Sequence, residues 1–153
     1  MRKAMLLLAA FGLAGALWAA DPFVGTWELN LAKSYVTNPN AMPKSETGNT
    51  VAIDNGLKTT FDGVGAEGRA YRIERTIIFD GKDHPLKGDL FADTVSADRI
   101  NANTFYVVTK KSGEEVSKWR VTLSKNGKTQ TLTGFGKSPR GHSYRSTFIY
   151  DKQ

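Results

Sequence analysis

Apolar and polar residues alternate with a period of two along most of the chain beyond residue 20. Trp27, Leu29 and Leu31 alternate with Thr26, Glu28 and Asn30. That spacing puts the apolar set on one face of a β-strand and the polar set on the other. The periodicity is then lost over residues 32–49, which carry Asn38-Pro39, Pro43 and Gly48. This stretch reads as a long loop with a short helical turn around residues 31–35, and its prolines leave little room for a helix pair. Val51 and Ile53 restart the alternation. Asn55-Gly56 then predicts a type I′ hairpin, whose two central positions both need positive φ. Leu57, Thr59 and Phe61 continue on the return strand, and Asp62-Gly63 with Gly65 and Gly68 predicts the next turn.

Residues 69–79 read as one long strand with Tyr71, Ile73, Ile77 and Phe79 on one phase, turned by Asp80-Gly81. Residues 84–93, with Pro85 and Gly88, read as an irregular crossing. Further strands are predicted over 94–100, 104–110, 116–124, 129–135 and 143–150. Their separators are residues 101–103, Ser112-Gly113, Asn126-Gly127 and the loop 136–141. Roughly nine strands with short links and no room for a crossover helix exclude a parallel α/β fold. They predict a single all-β domain, an antiparallel up-and-down β-barrel of about 8–10 strands. Closure also removes exposed strand edges.

The alternation fails at the N-terminus for a different reason. Arg2 and Lys3 precede an almost uninterrupted apolar run over residues 5–17. The run has the length of a signal-peptide core and is short for a bilayer span. We read residues 1–20 as a signal peptide cleaved near Ala19 or Ala20, and residues 21–153 as the barrel domain. The expected location is periplasmic or secreted, with no stable membrane insertion after cleavage. The chain has no cysteine, so its core must hold it without disulfides. Its formal charge is +6; loss of Arg2 and Lys3 leaves 19 basic side chains against 15 acidic, a balance of +4. The basic residues are dispersed, and Lys110-Lys111 is followed at once by Glu114-Glu115. A nucleic-acid surface needs clustered basic residues, so that partner class is not expected.

Phe23-Val24-Gly25-Thr26-Trp27-Glu28-Leu29 resembles the first strand of fatty-acid-binding proteins and, through Gly25-x-Trp27, of lipocalins. The longer string from Asp21 to Ser34 resembles the opening of small exported bacterial lipocalin-like proteins of unknown function. Pro43-Lys44-Ser45-Glu46-Thr47, the strand and turn over 71–81, and the closing Tyr150-Asp151-Lys152-Gln153 fit the same pattern. The resemblance implies a lipocalin-like barrel in which Gly25 permits a tight entry and Trp27 closes the floor. Fatty-acid-binding proteins end on an inward Arg-x-Tyr pair that clamps a carboxylate. Here those positions read Phe148-Ile149-Tyr150, so fatty acid as the ligand does not carry over. Lipocalins also place a last-strand basic residue over the first-strand tryptophan, which makes Arg145 over Trp27 an expectation.

Candidate cavity-lining residues follow from the inward phases: Trp27, Phe61, Tyr71, Arg75, Trp119, Tyr144, Phe148 and Tyr150. Arg75 shares its phase with Tyr71 and Ile77. An inward guanidinium needs a carboxylate, water or an anionic ligand. His84 and His142 lack ligand spacing, and Asp83-His84 is a solvated turn, so no metal is expected. There is no Gly-x-Ser-x-Gly elbow and no cysteine nucleophile. Gly63-x-Gly65-x-x-Gly68 has dinucleotide-loop spacing without a following helix, so no cofactor is implied. The expected function is binding of a small apolar or amphipathic molecule, without catalysis. The alternative is a structural or interaction module of the cell envelope whose barrel is filled by its own side chains.

Overall fold

A computed structural model describes residues 20–87, 89, 91–138 and 141–153. The expected signal peptide, residues 1–20, lies outside these except for Ala20. Among the described residues there are eleven antiparallel strands, against the roughly nine expected. They are β1 Gly25–Leu29, β2 Tyr35–Val36, β3 Ser45–Ile53, β4 Gly56–Val64, β5 Ala70–Ile78 and β6 His84–Pro85. The second half comprises β7 Thr94–Asn101, β8 Thr104–Lys111, β9 Glu114–Leu123, β10 Thr129–Lys137 and β11 Ser143–Lys152. The hydrogen-bonded order is β5-β4-β3-β1-β11-β10-β9-β8-β7-β6, with β2 pairing β11. First and last strands therefore meet, and the sheet curls into a nearly closed barrel.

Closure stops between β5 and β6. A single backbone bond from Gly81 N–H to the Ala97 carbonyl, at 3.1 Å, ties the turn after β5 to β7. The expectation that closure removes every edge is corrected here. The outer face of β5 is guarded by charge instead: Arg72 pairs with Asp62 and Glu74 with Lys58, each at 2.9 Å. On β6, Pro85 has no N–H to offer.

Two turn readings need correction. The two-residue loop of the β3–β4 hairpin is Asp54-Asn55, because Ile53 pairs with Gly56. Only Asn55 has positive φ, 50°. Gly56 opens β4 in a place where an added Cβ would lie 2.1 Å from the Ile77 carbonyl oxygen. Its glycine is required by close packing, not by the turn. Positive φ at both central positions occurs at Ser112-Gly113 (51° and 84°), between the paired residues Lys111 and Glu114. Asp62-Gly63 is not a turn but part of β4; the chain reverses at Gly65–Gly68, closed by a bond from Gly68 N–H to the Gly65 carbonyl.

The predicted loop 32–49 is shorter than its composition suggests. Leu31–Lys33 forms a 3-10 turn, which ends β1 at Leu29 and leaves Leu31 exposed. A second such turn spans Pro39–Ala41, and β3 already begins at Ser45. Residues 45–49 carry no large apolar side chain, so no alternation announces the strand. It forms because its partners on β1 and β4 present complementary ladders: Gly48 pairs with both Trp27 and Phe61. Two large inward rings flank one residue without a side chain, and an added Cβ at Gly48 would sit 3.1 Å from the Phe61 ring.

The core fills one end of the barrel. Phe23, Trp27, Leu29, Leu57, Phe105, Val121, Leu123 and Tyr150 form its buried cluster. The Trp27 indole N–H donates to the Phe23 carbonyl at 2.9 Å, so the buried ring leaves no polar atom unpaired. Gly25 has φ +141°, and its missing Cβ would meet Lys152 Cε at 2.8 Å. Lys152, the cross-strand partner of Trp27 on β11, holds its ammonium 5.1 Å from the Trp27 ring. That corrects the expectation for Arg145, which is exposed. Arg145 alternates with the inward Tyr144 and Ser146, so its parity turns it outward. Beside this floor, Arg99 lies 4.2 Å over Phe79 and pairs with Asp21. The cation, aromatic ring and carboxylate fasten the segment before β1 to β7.

Candidate functional site

Beyond the core cluster, the strands enclose a cavity of about 400 Å³. Small-molecule sites occupy roughly 300–1,000 Å³, so the side chains of the described residues do not fill the barrel. Its apolar wall includes Phe61, Ile77, Val107, Trp119, Leu132 and Phe148. These come from β4, β5, β8, β9, β10 and β11, each from the inward phase of its strand.

Cross-strand pairing sets the shape of this wall. Trp119 pairs with Gly134, and Tyr144 with Gly136. An added Cβ at Gly134 would lie 2.2 Å from two Trp119 ring carbons, and one at Gly136 2.7 Å from the Tyr144 hydroxyl. The two glycines therefore let the neighbouring rings lie across β10. Trp119 then stacks on Phe148, with centroids 6.1 Å apart and planes 24° apart. Its indole N–H donates to Ser117 Oγ at 3.2 Å, and Ser117 shares a 2.6 Å hydrogen bond with Thr109.

The expected lining residues divide as follows. Phe61, Arg75, Trp119, Tyr144, Phe148 and Tyr150 line the cavity. Trp27 does not: it is 2% exposed in the core and borders only a separate void of about 20 Å³ beneath Tyr150. The physical reason is its position on β1, where the barrel floor closes. Tyr71 faces inward and reaches the site through its hydroxyl, which donates to Glu46.

Arg75 does point into the cavity. Its guanidinium bonds Asp89 at 2.8 Å. The other Asp89 oxygen accepts from the backbone N–H groups of Phe91 and Ala92, at 2.7 and 3.1 Å. Asp89 thereby fixes the segment leading into β7 and neutralises the arginine. The need for a partner, read from the sequence, is met within the chain.

Glu46 is the polar residue the sequence reading missed as a site residue. It lies on β3 in the stretch taken for loop. One carboxylate oxygen accepts from the Tyr71 hydroxyl and the other from the Tyr150 hydroxyl. Gly63, paired with both Glu46 and Tyr71, makes space: its Cβ would be 2.6 Å from the Tyr71 hydroxyl. Burial, and then the bond and charge of Glu46, push the Tyr71 phenol well above the ordinary tyrosine value. Burial, and then the charge of Glu46, do the same for Tyr150. Both phenols stay protonated and act as donors. Tyr144 is also raised, by burial first.

The barrel can be placed among known structures. It superposes on the zebrafish ileal bile acid-binding protein solved with cholic acid, with TM-score 0.58 and 12% identity over 86% of this chain and 99% of that one. The fold is that of the fatty-acid-binding and lipocalin barrels. A Schistosoma mansoni fatty acid-binding protein in complex with arachidonic acid matches with TM-score 0.57 and 8% identity, over 86% of this chain and 96% of that one. An S-type phycobiliprotein lyase from Guillardia theta matches with TM-score 0.51 and 13% identity, over 86% and 89%. No protein-family model and no curated protein sequence matches the chain. At these identities the likeness concerns the fold, which hosts both binding proteins and a lyase.

Among the described residues, no group of three or more His, Asp or Glu side chains is placed to hold a metal. His84 bonds Asp80 at 2.9 Å, while the neighbouring Asp83 pairs with Lys110 at 2.8 Å. The Asp83-His84 pair is thus split between two partners. Among the described residues, no helix is long and apolar enough to cross a membrane.

Proposed function

We propose that this protein is an exported, non-catalytic binder of a small apolar or amphipathic molecule held inside the barrel. The observation that carries this reading is the cavity of about 400 Å³ walled by aromatic and aliphatic side chains. An apolar surface of that extent is stabilised by a ligand that displaces water from it. Two barrels of the same fold, solved with cholic acid and with arachidonic acid, support the reading. Binding is favoured over catalysis because the wall's arginine and its two carboxylates are already engaged. Arg75 is held by Asp89 and Glu46 by two tyrosines, and among the described residues no nucleophile is set against a base. The export component rests on the pattern of residues 1–20, and places the protein in the periplasm or outside the cell.

The test is native mass spectrometry of the mature protein purified from the envelope of its own host, with its N-terminus sequenced. We expect a chain starting near Asp21 and a discrete added mass that is lost on denaturation. An apo mass, together with no uptake of a neutral apolar fluorophore by the purified barrel, would overturn the binder reading. A retained N-terminal segment would overturn signal cleavage.

A further inference from the structure

The cavity wall carries one carboxylate whose charge no neighbour balances. Glu46 lines the cavity, and its two oxygens each accept one phenolic hydrogen bond, from Tyr71 and Tyr150. Both partners are neutral donors. Among the described residues, no lysine, arginine or histidine lies within ion-pair distance of Glu46, and the cavity's own arginine is committed to Asp89. A carboxylate oxygen has acceptor capacity for more than one donor, so the pair of tyrosines orients Glu46 without saturating it. A charge withdrawn from bulk water and left without a counter-charge is costly, and a bound cation relieves that cost.

The aromatic part of the wall has the same preference; the wall's second basic residue, Lys137, is exposed at the far end of β10. Phe61 and Tyr150 lie against one another, 6.4 Å between centroids, and Trp119 stacks on Phe148. Aromatic faces attract a cationic head group and are indifferent to an apolar tail. An anionic head group meets the opposite situation. The arginine of the carboxylate clamp is replaced by Phe148, and the tyrosine that would complete the clamp, Tyr150, already donates to a carboxylate.

We propose that Glu46, oriented by Tyr71 and Tyr150, is the anchoring site for the protonated amine of an apolar or aromatic amine whose body fills the cavity. This inference rests on the reading of the barrel as a binder and narrows its ligand to a chemical class. It reverses the polarity expected of a fatty-acid site: the ligand brings the positive charge and the protein the negative one.

The test compares three probes of equal chain length, decylamine, decanol and decanoate, by displacement of neutral N-phenylnaphthylamine from the purified protein. Decylamine should bind about ten- to a hundredfold more tightly than decanol, the ratio for one charge-assisted hydrogen bond, and decanoate more weakly than decanol. In Glu46→Gln, which keeps the shape but replaces one acceptor oxygen by a donor NH2 and removes the charge, decylamine should lose its advantage over decanol. Decanoate binding as tightly as decylamine, or an amine-to-alcohol ratio unchanged in Glu46→Gln, would overturn the proposal. The wild-type ranking stands without the variant, so a poorly folding Glu46→Gln leaves the test decisive. If neither the fluorophore nor any probe binds, the binder reading itself fails; decanol and decanoate binding without amine preference sinks the amine site alone.

Discussion

Gly134→Ala is the perturbation that most directly links the barrel's packing to its cavity. The added Cβ would lie 2.2 Å from Trp119 Cδ2 and Cε3, whereas carbon atoms rest at about 3.5–4.0 Å. The ring must therefore move by about 1.5 Å. The β10 backbone is held between β9 and β11 and cannot recede, so the ring goes into the cavity. That motion breaks its stack on Phe148 and its bond to Ser117. Forcing one methyl into a packed site costs about 1–3 kcal/mol. The lost aromatic pair adds about 0.5–1.5 kcal/mol. A total near 2–3 kcal/mol lowers Tm on the order of 5–10 °C for a domain of this size. Calorimetry reads the stability, and a change in tryptophan fluorescence reports the ring's new environment. Ligand uptake should fall because Trp119 occupies part of the cavity. Thr133→Ala, on the outward phase of the same strand and exposed, is the control and should change Tm little. A Tm and emission spectrum for Gly134→Ala matching the control would refute the idea that Gly134 exists to seat Trp119.

Trp27→Ala should cost about 3–5 kcal/mol in urea unfolding, since it empties a fully buried core position and strands the Phe23 carbonyl; a loss under about 1 kcal/mol would contradict its role as the barrel floor. A double-mutant cycle on Arg75→Leu and Asp89→Asn should yield a coupling of about 1 kcal/mol, with additive effects showing that the pair at 2.8 Å does not tie β5 to the segment before β7. Tyr71, Tyr144 and Tyr150 all titrate above the ordinary tyrosine value in the folded state. Their neutral forms thus contribute stability that is complete below pH of about 10 and lost as pH rises through the folded values. The urea midpoint should decline above pH of about 10, and a flat midpoint through pH of about 11 would show that these phenols are not buried.

The period-two pattern was enough to specify most of the long strands, because a strand with one buried face writes that face into alternate residues. The opening Phe23–Leu29 string and the inward phases of β4, β5, β9 and β11 placed Phe61, Arg75, Trp119, Phe148 and Tyr150 on the inner side of the barrel without coordinates. Turn chemistry was less legible. Asn55-Gly56 has the letters of a type I′ turn, yet Gly56 is there because the Ile77 carbonyl leaves no space for a Cβ. A glycine selected for φ and one selected for proximity are identical in sequence.

Closure and polar pairing belonged to the tertiary structure. Residues 45–49 show no hydrophobic period, so the first half of β3, with Glu46, emerges only when β1 and β4 supply their ladders on either side. Glu46 meets Tyr150 across 104 positions and Tyr71 across 25; parity turns Arg145 outward, and register sets Lys152 opposite Trp27. Local sequence determines which face of a strand is apolar, since that depends on adjacent residues. Which polar groups share the interior depends on how distant strands are staggered around the barrel, and only the folded chain decides that.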